Sequence, residues 1–133
     1  MRKPVLLSIA LLLAVVLALG ACAQNSGKAG GNGESYAPPD VTMNQTDFDH
    51  NTLTIPAGTT VKFINPASAS MHILCVGTSA TCDGSASGPS ALTGGSSLQT
   101  APGETKEVTF DKPGTYKIAC TLHPMMNLTI TVQ

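Results

Sequence analysis

From Val41 onward the chain is cut into short pieces. Turn-forming clusters recur at roughly ten-residue intervals, and the runs between them alternate apolar and polar side chains, the period of a half-buried strand. Residues 41–48 form the first such run. Leu53 and Ile55 then alternate with Thr52 and Thr54 up to Pro56-Ala57-Gly58. Residues 59–65 carry Val61, Phe63 and Ile64 and stop at Pro66, and residues 71–76 end at Gly77. Residues 104–110 set Lys106, Val108 and Phe110 against Glu107 and Thr109 before Lys112-Pro113-Gly114. Residues 115–121 place Tyr116, Ile118 and Cys120 on one face. Residues 127–133 do the same for Leu128, Ile130 and Val132. No stretch of helical length after Cys22 shows a 3.6-residue period. About seven short strands, each with one apolar face, predict an all-β, two-sheet β-sandwich over residues 41–133. Residues 77–103 stand apart: nearly all Gly, Ala, Ser, Thr or Pro, they read as a surface excursion of unusual length, pinned by Leu92 and Leu98.

The first forty residues have another character. Arg2 and Lys3 precede an apolar stretch, residues 5–21, and Cys22 follows at once. This is the layout of a secretory signal with a short apolar region, and residues 1–21 are expected to be removed as one. A single membrane-spanning anchor is the alternative, although 17 residues lie at the lower edge of what crosses a bilayer. Leu19-Gly20-Ala21-Cys22 resembles the bacterial lipobox, in which the cysteine is acylated and becomes the new N-terminus. Residues 22–40 then read as a lipidated Cys22 and a flexible linker containing Gly27, Gly30, Gly31 and Gly33. Either reading places the domain outside the cytoplasm and on a membrane, facing the periplasm or the outer surface.

Charge excludes other classes. Lys and Arg number 7 and Asp and Glu 8, and without the first 21 residues the balance becomes 5 against 8. Such a chain is no basic nucleic-acid binder and has no polybasic membrane patch. With no Trp, two Tyr and three Phe it has no base-stacking platform either.

If Cys22 carries lipid, three cysteines remain, and an odd count in an oxidising compartment leaves one over. Cys75 and Cys82, seven apart, are expected to form a disulfide, so that Cys120 is the free thiol. Cys120, His123 and Met126 are spaced at threes on a turn between two strands, where neighbouring side chains can converge on one point. Thiolate, imidazole and thioether together suit copper, and a trigonal His₂Cys set with a weak axial Met marks a blue-copper site. The second histidine is His72 rather than His50. His72 shares its strand face with Leu74 and Val76, whereas His50 lies in the polar turn Asp47-Phe48-Asp49-His50-Asn51. Met126 keeps step with Leu128, Ile130 and Val132, and Met125 does not.

The pattern Cys-x-x-His-Pro-x-Met after Tyr-x-x-x-Cys, with a histidine on a much earlier strand, resembles the cupredoxins, the type 1 blue-copper proteins of the plastocyanin and amicyanin kind. The loop from Cys120 to Met126 is similar to the shorter, amicyanin form. The resemblance implies a Greek-key β-sandwich with one copper near one end, held by His72, Cys120, His123 and Met126. It also implies a one-electron carrier rather than an enzyme, a monomer that meets redox protein partners through a partly exposed His123. Met71, Pro66, Pro124 and Met125 could ring that histidine as an apolar docking patch. The chain departs from many family members where Ile73, not Asn, follows His72, so the brace on the cysteine loop falls to Thr121 or Asn65. Three competing readings remain: copper transport or delivery, with Met71, Met125 and Met126 as a Cu(I) setting; structural zinc on His72, Cys75, Cys120 and His123; and a metal-free binding module. Cys120 and His123 as a catalytic thiol and base fit less well than ligation.

Overall fold

The structure is a computed structural model that describes residues 39–133. The expectations for the signal, for Cys22 and for nearly all of the linker therefore lie outside the described residues. Among the described residues there are nine strands and no helix: β1 (Asp40–Thr42), β2 (Thr52–Ile55), β3 (Thr59–Ile64), β4 (His72–Thr78), β5 (Thr81–Cys82), β6 (Leu98–Thr100), β7 (Thr105–Phe110), β8 (Gly114–Cys120) and β9 (His123–Val132).

They form two mixed sheets. One has the order β1-β3-β7, and the other β2-β9-β8-β4-β5, with β6 also pairing β4. β1 runs parallel to β3 and β2 parallel to β9, while the remaining pairs are antiparallel. Alternation drives the layering. Val61 and Phe63 of β3 and Val108 and Phe110 of β7 point inward from the first sheet; Leu74, Ile118, Leu128 and Ile130 meet them from the second, in one apolar core. The residues between them face outward, and the Thr60 and Thr109 hydroxyls pair across the outer face at 2.8 Å. Tyr116 closes one end of this core: its hydroxyl donates to the Lys112 carbonyl at 2.8 Å, and its ring meets Phe110 edge-on.

Three segments differ from the sequence expectation. The first run stops early as a strand: β1 ends at Thr42, and Asn44 donates to the Asp47 carbonyl to make a turn closed by an isolated bridge between Met43 and Phe48. The small-residue segment is not structureless, because β4 extends to Thr78, turns, and returns as β5, and β6 comes back along the other half of the same β4 edge. Leu92 is fully buried and Leu98 partly so, which ties the excursion to the core. Finally, β9 begins at His123, four residues before the alternation becomes visible.

Candidate metal centre

Three sequence neighbourhoods meet at one end of the second sheet. His72 is the first residue of β4, Cys120 the last of β8 and His123 the first of β9. The register pairs Leu74 with Cys120 across β4 and β8, which brings His72 beside the end of β8. The β8–β9 turn is only Thr121-Leu122, tighter than the spacing at threes suggests, and Cys120 pairs directly with His123. From that pair to the next, Ala119 with Asn127, β8 advances one residue and β9 four. Pro124, Met125 and Met126 are the excess, a large bulge at the edge of the pairing. Pro124 is at home there because it has no N–H to give a ladder. The Asn127 side chain closes the bulge by donating to the Pro124 carbonyl at 3.1 Å, and it is held in turn by the Ser79 N–H. The bulge sends Met125 outward, 87% exposed, and Met126 inward, fully buried.

One ligand-capable atom from each of His72, Cys120 and His123 lies within 4.8 Å of the others. Cys120 Sγ is 3.7 Å from His72 Nδ1 and 3.5 Å from His123 Nδ1, and the two rings are 5.0 Å apart. His72 and Cys120 are fully buried and His123 is partly exposed. Burial lowers the His72 pKa from its ordinary value, the neighbouring His123 lowers it further, and the backbone at Asn44 pulls weakly the other way. His72 is thus held neutral, the form in which imidazole ligates. Its outer nitrogen, Nε2, makes no hydrogen bond of good geometry.

These residues fit copper on their own chemistry. Metal–nitrogen and metal–thiolate bonds of about 2.0–2.3 Å, opened to tetrahedral or trigonal angles, separate the donor atoms by about 3.5–3.8 Å. The observed sulfur–nitrogen distances fall in that range. A buried cysteine sulfur flanked by two imidazoles, with a buried thioether three residues after His123, is a soft and borderline donor set. His72, Cys120, His123 and Met126 thus form an arrangement like that of a type 1 copper site.

The other candidates lie elsewhere. His50 is exposed and pairs with Asp49 at 2.9 Å. Cys75 is joined to Cys82 in a disulfide with Cα atoms 5.6 Å apart, and Cys120 is the free cysteine among the described residues. Cys75 therefore has no thiolate to offer a Cys₂His₂ zinc site. The brace that an Asn after His72 would supply is divided in two. The Thr121 N–H donates to the Ile73 carbonyl at 2.8 Å, which ties the cysteine turn to β4 through the backbone. Buried Asn65 donates from Nδ2 to the Ser70 and Thr100 carbonyls, both at 2.9 Å. Ser70, Leu122 and Asn127 also belong to this end of the molecule. Sequence reasoning passes over them, because single residues in a loop, a turn or a bulged strand end carry no periodic signal.

The comparisons agree with this geometry. The copper-binding proteins of the plastocyanin/azurin family match residues 38–133. Solved structures similar to the chain include amicyanin from Paracoccus versutus (18% identity, covering 74% of this chain and 83% of that one, TM-score 0.54). They also include an amicyanin variant in its reduced state (23% identity, 73% and 83% coverage, TM-score 0.54) and a Cu(I) form of another variant (22%, 71% and 81%, TM-score 0.52). At such identities the likeness speaks for the fold. No curated protein matches the chain. With the family matched over the whole described domain and a copper-type donor set at its end, the chain belongs to the plastocyanin/azurin family of copper-binding proteins.

Proposed function

We propose that this protein is a one-electron carrier that holds a single copper ion through His72, Cys120, His123 and Met126. The observation that carries the reading is the enclosure of the donor set: His72, Cys120 and Met126 are fully buried and come from two distant segments of the chain. Copper, when bound, supplies reversible one-electron exchange between Cu(II) and Cu(I). The protein supplies the rest. β8 is hydrogen-bonded to β4 on one side and to β9 on the other, so the donors these strands carry have little room to rearrange when the charge between them changes. His123, the partly exposed ligand, is the donor nearest the surface. Around it Met71 and Leu122 are each 49% exposed, Met125 is 87% exposed, and Pro124 is exposed beside them. This apolar rim suits brief docking of redox protein partners over a small area.

The exposed thioethers of Met71 and Met125 favour a second reading, copper transport or delivery. Adding Cu(II) to the full chain separates the two. An intense visible thiolate-to-copper band, bleached by reductant and missing in Cys120→Ser, is the expected result. A colourless protein that binds Cu(I) tightly would mean delivery, and no copper binding would end both readings.

We place the protein outside the cytoplasm, tethered to a membrane by an acylated Cys22. This rests on the Leu19-Gly20-Ala21-Cys22 sequence and the apolar stretch before it. Cys22→Ser should move the protein from the membrane fraction to the soluble one; an unchanged distribution would rule out the lipid anchor.

A further inference from the structure

His123 offers one nitrogen to Cys120 and has the other turned towards a serine. Nδ1 lies 3.5 Å from Cys120 Sγ, while Nε2 lies 3.5 Å from Ser70 Oγ. Which of the two nitrogens carries the proton of a neutral ring decides whether His123 is ready to ligate. Ser70 answers this by proton count. Its single hydroxyl proton has two acceptors in reach, the Gln45 carbonyl at 3.3 Å and Nε2, and because a carbonyl can only accept, both contacts are hydrogen bonds only when that proton goes to Gln45. The hydroxyl oxygen is left as an acceptor facing Nε2. The compatible neutral ring has its proton on Nε2 and a bare lone pair on Nδ1.

Ser70 is itself held in place. The Asn65 amide donates to its carbonyl at 2.9 Å and to that of Thr100 at 2.9 Å. An amide that faces two carbonyls must present its nitrogen, so the orientation of Asn65 is settled by its partners. The Gln45 side chain also donates to the Ser68 carbonyl at 2.6 Å, which fastens the turn at residues 44–47 to the loop before β4. Ser70 is therefore fixed from the backbone side by Asn65 and from the hydroxyl side by Gln45.

We propose that Ser70 is a positioning residue for the metal centre: its hydroxyl holds His123 as the Nε2–H tautomer, with Nδ1 aimed at Cys120 before any metal arrives. The inference rests on the copper reading for its purpose, but not for its test. Outer partners of ligating histidines commonly contribute about 10–100-fold in metal affinity, and Ser70 is expected to fall at the lower end because its contacts are long.

The test compares the full-length protein with Ser70→Ala and Ser70→Thr. In the metal-free protein, at a pH where the imidazoles are neutral, long-range ¹⁵N–¹H correlations of the histidine rings report the tautomer directly. The wild type should show His123 as Nε2–H, Ser70→Ala a mixture of tautomers, and Ser70→Thr, which keeps the hydroxyl, the wild-type pattern. In parallel, the copper dissociation constant should rise about tenfold in Ser70→Ala and recover in Ser70→Thr. A His123 ring that keeps the same single tautomer in Ser70→Ala, or that is Nδ1–H in the wild type, would overturn the proposal. Should Ser70→Ala fail to fold, Ser70→Cys, with its weaker acceptor, takes its place under the same expectations. The tautomer is read without metal, so a protein that orders His123 through Ser70 yet binds no copper would refute the copper function and leave the positioning intact.

Discussion

Adjacent methionines in this chain have opposite fates, and their energetics should differ accordingly. Met126 is buried in the main core and Met125 stands 87% exposed. Met126→Ala should cost the metal-free protein about 2–5 kcal/mol in a denaturant titration, the usual range for emptying a buried Met site. Met125→Ala should stay within about 0.5 kcal/mol. His72 adds a pH dependence. Its pKa is lowered in the folded state by burial and then by His123. The unfolded chain therefore takes up a proton first as pH falls, and stability must rise with pH through that window. The metal-free protein should lose stability as pH drops below about 6.5, the ordinary histidine value; His72→Gln should flatten that part of the profile. A profile unchanged by His72→Gln would place the titration elsewhere. Much of this was readable in advance, because strand parity is a strict two-residue rule. It turns His72 with Leu74, and it turns Met126 rather than Met125 with Leu128. Ser70 was not readable, since its position depends on Asn65 and on Gln45, 25 residues away, through hydrogen bonds to backbone carbonyls that leave no periodic trace.

Among the elements, β4 has the most exacting connections. It joins β5 through Ser79-Ala80 alone, and both residues have positive φ, 50° and 62°. That is the pair of left-handed residues a two-residue hairpin of this hand demands, a conformation natural to Asn-Gly and costly for Ala. Ala80→Gly should therefore stabilise the protein by about 1 kcal/mol. Gly77→Ala should do the reverse, because a Cβ there would run into the Thr81 backbone. The disulfide closes the same hairpin: removing it in Cys75→Ala/Cys82→Ala should cost about 2.5 kcal/mol by loss of the eight-residue ring and leave the visible copper band in place. This hairpin also explains why β5 and β6 escaped the sequence. Thr81-Cys82 and Leu98–Thr100 are too short to show a period, and they are strands only because β4 offers them an unpaired edge. Likewise the start of β9 was hidden by Pro124 and by the three-residue bulge, which interrupts the alternation where the ligands sit.

For the molecule as a whole, the donor set joins β4, β8 and β9 at one end of a sandwich whose apolar core lies below it. A ligand bound only by the folded form stabilises that form by mass action, about 2.7 kcal/mol at a hundredfold excess over its dissociation constant. Copper should therefore raise the melting temperature of the wild type and leave that of Cys120→Ser much less affected, a comparison calorimetry can make directly.

The one free thiol of the described domain is completely enclosed, while its two possible disulfide partners are neighbours in sequence. The three cysteines of the described domain allow three pairings, and only one leaves Cys120 available. Chain statistics favour it. Cys75 and Cys82 are 7 residues apart, whereas Cys120 lies 38 from Cys82 and 45 from Cys75 by their numbers in the sequence. Since loop closure becomes rarer roughly as the three-halves power of length, the local encounter outpaces the distant ones by an order of magnitude. Once the sheets close over Cys120, the wrong pairings lose their access as well. The spacing of two cysteines thus favours the one pairing that leaves the third free.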